Sequence, residues 1–106
     1  MRIYKAVQPQ HRPAHPGAIL RDTALPALKL TVSQAARDLG VSRQFLHRLL
    51  NEQVPVSAKM ALKIGRLCGN GPEVWANMQA AWDLWHARDR LGDDLNKVPE
   101  RHRDAA

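Results

Sequence analysis

The stretch from Thr31 to Asn51 carries start and stop signals for two short helices that are separated by a tight turn. Thr31 and Gln34 have the spacing of a capping box, and Ser42 is a second candidate N-cap. Gly40 is typical of a helix end, and Asn51 is suited to a left-handed exit from the second helix. Apolar residues recur at helical spacing between these signals: Val32, Ala35, Ala36, Leu39, Leu46 and Leu49.

Two residues in this window favour a close crossing of the two helices. Ala36 is small enough to let the helices approach, and Val41 is placed to fill the angle between them. Two short helices joined in this way are typical of a helix-turn-helix unit, whose second helix enters the DNA major groove with its N-terminal residues leading. An unrelated helical hairpin with solvated polar residues is the alternative.

Helical patterns continue on both sides of this window, and no segment alternates with the period of a strand. A short helix starts at Pro16, and we expect Pro26 to limit its extension. Ser57 caps a further helix, and Pro72 opens a long last helix that runs to about Arg90. The sequence predicts an all-α chain of about five helices in one domain, since 106 residues are too few for two cores.

Charge divides the chain into a basic and an acidic part. Residues 1–71 carry 11 Lys or Arg and 3 Asp or Glu, whereas residues 72–106 carry 5 and 7, so the net charge is +8 before residue 72 and −2 after it. A basic body of this kind is typical of nucleic-acid-binding proteins, although ordinary solubility accounts for it equally well. We predict a flexible basic arm over 1–13, a helix-turn-helix domain with a C-terminal helix over 14–92, and a polar tail over 93–106.

The second helix of the window begins with residue types that recognise DNA. Arg pairs with guanine through two hydrogen bonds and Gln pairs with adenine in the same way, so Arg43 and Gln44 are candidate base contacts. Ser42 and the amides of the helix N-terminus suit a phosphate. His47 either faces DNA or is simply solvated. The predicted DNA-binding residues are Ser42, Arg43, Gln44, Phe45, His47 and Arg48.

Four segments of the chain resemble HigA-type antitoxins, which belong to the phage-repressor-like (XRE-type) helix-turn-helix class. They are HPGAIL (15–20), SQAARDLGVSRQFLHRLLN (33–51), VPVSAKMALKIGRL (54–67) and VWANMQAAWDLW (74–85). The HPG triplet and the spacing of Trp75, Gln79, Asp83 and Leu84 look like the antitoxin branch. The resemblance implies a homodimer that binds double-stranded operator DNA of its own operon and neutralises a small HigB-type ribonuclease toxin.

Two other functions stay open beside this one. A free-standing transcriptional repressor without a toxin partner would use the same DNA-binding residues. A module whose helices bind only protein is a third hypothesis, and the basic second helix counts against it.

Two residues depart from the family pattern. Glu52 stands where the family usually has glycine after Asn51, which leaves the form of the helix exit open. Phe45 occupies a site that is usually small or polar, and it either contacts a thymine methyl or packs inward. The operator sequence therefore does not carry over from the family.

Nothing in the sequence indicates an enzyme, a metal site or a cofactor. The five histidines have no metal-ligand spacing, and no nucleophile motif or phosphate-binding glycine loop occurs. His15 is predicted to cap a helix or to hold a turn, and Cys68 to be a small buried hydrophobe. A single cysteine excludes an internal disulfide, and no apolar run approaches the roughly 20 residues of a membrane span. With no signal-peptide pattern at the N-terminus either, we expect a cytoplasmic protein.

Three tryptophans lie on the predicted last helix. Trp75, Trp82 and Trp85 share a seam with Met78 at helical spacing. We expect Trp75 to be core and Trp82 or Trp85 to face a partner subunit, because aromatic residues are enriched at interfaces. The alternative is that all three belong to the core of a monomer.

Overall fold

The structure, a computed structural model, describes residues 11–101. The predicted basic arm lies outside the described residues except for residues 11–13, and so do the last five residues of the predicted tail. The limits of the three predicted parts stay a prediction.

All regular structure within residues 11–101 is helical, which confirms the all-α prediction. The first helix is continuous and has three parts: α1 (Pro16–Ile19), a π-helical segment (Leu20–Ala24) and α2 (Leu25–Leu28). Four helices follow: α3 (Val32–Leu39), α4 (Arg43–Leu50), α5 (Ala58–Cys68) and α6 (Pro72–Leu91). A 3-10 helix (Gly92–Lys97) continues from α6.

The first helix does not stop at Pro26, which corrects the sequence-based expectation. Proline has no N–H to donate, and the helix widens into π geometry just before it, with the Leu25 N–H donating to the Leu20 carbonyl. The helix then ends at Lys29, whose left-handed backbone (φ 56°) lets its N–H bond back to the carbonyls of Leu25 and Pro26.

The predicted caps of α3, α4 and α5 are confirmed. The Thr31 hydroxyl accepts the Gln34 N–H at 3.1 Å while the Gln34 side chain accepts the Thr31 N–H at 2.9 Å, so the capping box is complete. The Ser42 hydroxyl caps α4 by accepting the Phe45 N–H, and the Ser57 hydroxyl caps α5 by accepting the Met60 N–H. Gly40 ends α3 with a left-handed backbone (φ 68°), which glycine adopts without a steric cost.

The core lies between α3, α4 and α5, and α6 and the first helix close it. Burial of a whole Leu or Ile side chain contributes roughly 1.5–3 kcal/mol, so the core drives the fold. Its buried residues are Leu20, Leu25, Ala35, Ala36, Leu39, Leu46, Leu49, Leu50, Val56, Met60, Ala61, Ile64 and Trp75.

The long helix α6 is covered on one side only. Trp75 is buried as predicted, and its Nε1 donates to Asn70 Oδ1 at 2.9 Å. Leu84 (54% exposed) and Val74 (40% exposed) lie on the uncovered side.

Cys68, just before α6, is only half-buried against the core, where burial raises the pKa of its thiol. None of the helices in the described part of the chain is long and apolar enough to cross a bilayer.

Candidate nucleic-acid interface

Helix α4 presents an apolar side to the core and a polar side to solvent. Leu46, Leu49 and Leu50 are buried, because they recur at helical spacing on one side of the helix. The opposite side exposes two arginines, one glutamine and one histidine: Arg43, Gln44, His47 and Arg48. No acidic side chain within residues 11–101 pairs with Arg43 or Arg48. Both guanidinium groups are therefore available to an anionic partner.

The N-terminus of α4 adds backbone donors to these side chains. Ser42 Oγ accepts the Phe45 N–H at 3.0 Å, so this hydroxyl holds the first turn and still has its own hydrogen to donate. The N-terminal end of a helix carries a partial positive charge. Together with Arg43, it forms a basic surface that suits phosphate.

A shallow cleft between α3 and α4 brings in one residue that the sequence analysis missed. Arg43 lines this cleft together with Ser33, Arg37 and Val41. Arg37 is exposed on α3 and has no ion pair within the described residues. Its position three residues before the stop signal Gly40 could have indicated it, since that turn of α3 must lie next to the start of α4.

Phe45 packs inward in part, and its contact with a thymine methyl stays a prediction. Its ring is half-buried and packs against the core. The same residue lines a groove on the outer side of α4 with Ser42, Gln44, His47 and Arg48. One part of the ring therefore anchors α4, and another part is accessible to a ligand in the groove.

The exit from α4 corrects a second expectation. Asn51 is not left-handed (φ −87°), and Glu52 takes the left-handed position instead (φ 63°). Arg21 stabilises this turn from the first helix: it donates to the Leu50 carbonyl at 3.0 Å and lies 3.7 Å from the Glu52 carboxylate. The family's usual glycine fits this backbone, and here glutamate adopts it with help from Arg21.

The HPG triplet supports α4 from behind. His15 caps the first helix as predicted, since its Nδ1 accepts the Gly17 N–H at 2.9 Å. Gly17 lies directly against the Leu49 carbonyl, and a Cβ at this position would overlap with it. The triplet therefore lets the first helix pack on the backbone of α4.

Gln79 links α6 to the segment that follows α4. This side chain is buried; its Oε1 accepts the Val56 N–H at 2.8 Å, and its Nε2 donates to Asp83 Oδ1 at 2.9 Å. Gln79 and Asp83 belong to the pattern that resembles the antitoxin branch. Their contacts show that the pattern holds the chain after α4 on α6.

The structure gives Trp82 neighbours within its own chain. Its ring lies 5.0 Å from His15 and 4.3 Å from His86, centroid to centroid, and the Arg12 guanidinium lies 5.4 Å above it. Trp82 and Trp85 are both half-buried, so each retains exposed surface. Their role in a dimer stays a prediction.

No group of three or more metal-ligating side chains occurs within residues 11–101.

Comparison with known proteins identifies relatives over most of the chain. No family model matches it. The antitoxin HigA-1 of Vibrio cholerae is 34% identical over 89 residues, which cover 84% of this chain and 84% of that protein.

Two solved structures share both the fold and the sequence pattern. The Pseudomonas aeruginosa antitoxin HigA with the higBA promoter has a TM-score of 0.78 and 33% identity over 87% of this chain and all of that one. The antitoxin GraA in complex with its operator has a TM-score of 0.78 and 34% identity over 92% of this chain and 99% of that one. At these identities and coverages, the chain belongs to the HigA-type antitoxin family of helix-turn-helix proteins.

Proposed function

We propose that this protein is an operator-binding antitoxin, which binds the operator of its own operon as a dimer and neutralises a small ribonuclease toxin. The observation that carries the proposal is the exposed basic side of α4, where Arg43 and Arg48 have no acidic partner within residues 11–101. The HigA and GraA relatives that were solved with promoter or operator DNA support it.

In this proposal, α4 enters the major groove with its N-terminal end leading. Arg43 contacts a guanine and Gln44 an adenine, each through two hydrogen bonds to the base edge. Ser42, Arg37 and Arg48 contact phosphates and set the register, His47 faces the DNA, and the accessible part of Phe45 contacts a thymine methyl. The toxin partner is supported by the kinship with HigA-1 of Vibrio cholerae.

Substitution of the two base contacts tests the DNA-binding mechanism. Arg43→Ala and Gln44→Ala should each weaken specific binding by roughly 1–3 kcal/mol, because each removes one bidentate base contact. Gln44→Ala should leave binding to scrambled DNA nearly unchanged, since it removes no charge. The assay is fluorescence anisotropy with a duplex from upstream of the gene and with its scrambled version, each at several salt concentrations.

Arg66→Ala is the matched control, because it removes an exposed arginine from α5 rather than from α4. It should leave the affinity for the upstream duplex close to that of the wild type. Equal losses on the two duplexes would show that Arg43 and Gln44 do not contact bases. A flat dependence of wild-type affinity on salt would contradict DNA binding altogether.

The proposed dimer forms through α6. Two-fold symmetry doubles the number of base contacts, and it requires an interface away from α4. Trp82 and Trp85 retain exposed surface on α6, and the uncovered Leu84 lies beside them in sequence. We expect Trp85→Ala to weaken both the dimer and operator binding without loss of helix content. Sedimentation with circular dichroism measures this, and a wild type that stays monomeric on the operator duplex would refute the dimer.

A toxin partner is tested separately from DNA binding. The toxin is expected to be a small basic protein that is encoded beside this gene and arrests growth when it is expressed alone. Co-expression of this protein should relieve the arrest and yield a stable complex of the two. Rescue without a complex, or a complex without rescue, would contradict neutralisation by direct binding.

We further infer a cytoplasmic protein without enzymatic activity, because its proposed ligands are operator DNA and a toxin.

A further inference from the structure

His15 is a buried junction between three parts of the fold. Only 3% of the residue is exposed. Its Nδ1 accepts the Gly17 N–H, which caps the first helix, and its ring also hydrogen-bonds to the backbone of Val54 in the segment after α4. The ring packs T-shaped on Trp82 of α6, with centroids 5.0 Å apart. One imidazole therefore joins the first helix, the segment after α4 and α6.

This junction bears directly on the position of α4. Gly17, whose N–H is held by His15, lies against the Leu49 carbonyl in the last turn of α4. Val54 follows α4 after only a short stretch of chain. His15 thus acts on the last turn of α4 through Gly17 and on the chain beyond it through Val54.

The geometry requires a neutral imidazole. A ring nitrogen that accepts a hydrogen bond carries no proton, whereas both nitrogens of a charged histidine are donors. Protonation would direct an N–H at the Gly17 N–H and would add positive charge at the positive end of the first helix. Burial lowers the pKa of His15, and Glu52, Asp83 and the hydrogen bond to Val54 oppose that shift.

We propose that His15 is a positioning residue that makes DNA binding by α4 sensitive to mild acid. Neutral His15 accepts the Gly17 N–H and so holds the first helix against the last turn of α4, whereas protonated His15 loses this acceptor and releases the first helix. The proposal rests on the DNA-binding function proposed above. Four charged or titratable groups face the junction: Glu52 from the segment after α4, Asp83 and His86 from α6, and Arg12 from the segment before the first helix.

The size of the effect follows from the neutral fraction. If only the neutral form binds, the apparent Kd rises in inverse proportion to that fraction, so affinity falls by up to about tenfold for each pH unit below the pKa of His15. Because that pKa is lowered on folding, the unfolded chain takes up the proton first. The contribution of neutral His15 to the free energy of unfolding is therefore fully present above the usual pKa of histidine. It is lost as the pH falls through the lowered pKa of His15 in the folded protein.

The test compares DNA affinity across pH for three proteins. Fluorescence anisotropy with the duplex from upstream of the gene is measured from about pH 8 to about pH 5 at constant ionic strength. The wild type should lose affinity on the acidic side. His15→Asn, which keeps an N-cap acceptor but no titratable ring, should lose this pH dependence. His11→Gln is the control: it removes an exposed histidine that lies outside α4 and should retain the acid-induced loss.

Three results would overturn the proposal: a wild-type affinity that does not fall with pH, a His15→Asn protein with the wild-type pH profile, or a His11→Gln protein that has lost the wild-type pH profile. If His15→Asn does not fold, NMR of the wild type decides, because the Gly17 amide must shift together with the His15 ring as it titrates. A Gly17 amide that ignores this titration refutes the junction. Absence of wild-type binding at about pH 8 would instead contradict the DNA-binding function, and the NMR titration would still test His15 by itself.

Discussion

Replacement of Gln79 by Met tests the link between α6 and the segment after α4. Gln79 is only 7% exposed, and its Oε1 accepts the Val56 N–H at 2.8 Å. Methionine matches glutamine in length and helix propensity, but its sulfur is a weak acceptor. The substitution leaves a buried N–H without a good partner, so we expect the free energy of unfolding to fall by about 1–3 kcal/mol.

Thermal and urea unfolding followed by circular dichroism measures this loss, and each kcal/mol lowers the Tm by roughly 4–8 °C in a domain of this size. Gln44→Met makes the same change on the exposed side of α4, and Asp83→Asn keeps an oxygen that accepts from Gln79. Both controls should stay within about 0.5 kcal/mol of the wild type. A Gln79→Met protein as stable as these controls would refute the reasoning, since the Val56 N–H would then have another acceptor.

Two further predictions concern the backbone on either side of α4. Gly17→Ala should destabilise the fold by at least about 1–3 kcal/mol and weaken DNA binding, because the new Cβ overlaps with the Leu49 carbonyl. Unfolding and anisotropy measurements check the two effects, and unchanged stability would show that the close approach of Gly17 to Leu49 is not needed. The Glu52→Gly protein should be more stable than the Glu52→Ala protein by about 1 kcal/mol. Both variants lose the contact with Arg21, and only glycine removes the steric strain of the left-handed backbone at residue 52. Equal free energies of unfolding in urea would show that this backbone is not strained.

Local signals were enough to predict most of the helix boundaries. The capping box of Thr31 and Gln34, the caps Ser42 and Ser57 and the stop at Gly40 each depend on contacts within a few residues, so their spacing in the sequence is sufficient. The apolar period likewise predicted that Leu46 and Leu49 face the core.

Local signals failed at two points of the chain. Asn51 is locally the better left-handed residue, yet Glu52 takes that conformation, and Arg21 of the first helix bonds to the Leu50 carbonyl and approaches the Glu52 carboxylate. Pro26 is locally a helix breaker, yet the helix passes it by widening into π geometry. A contact with a distant residue accompanies the first outcome, and a change in the hydrogen-bond pattern of the helix itself accompanies the second.

The sequence by itself determined the helices, the crossing of α3 and α4, and the polar side of α4, because periodicity and capping act over a turn or two of chain. Only the tertiary structure decided which distant residues meet: His15 with Trp82, Gln79 with Val56, and Gly17 with Leu49. Such pairs depend on how whole helices pack, and packing sums many small contacts over the core. The face that we propose to contact DNA could therefore be predicted from its own residues, whereas the contacts that hold that face in position could not.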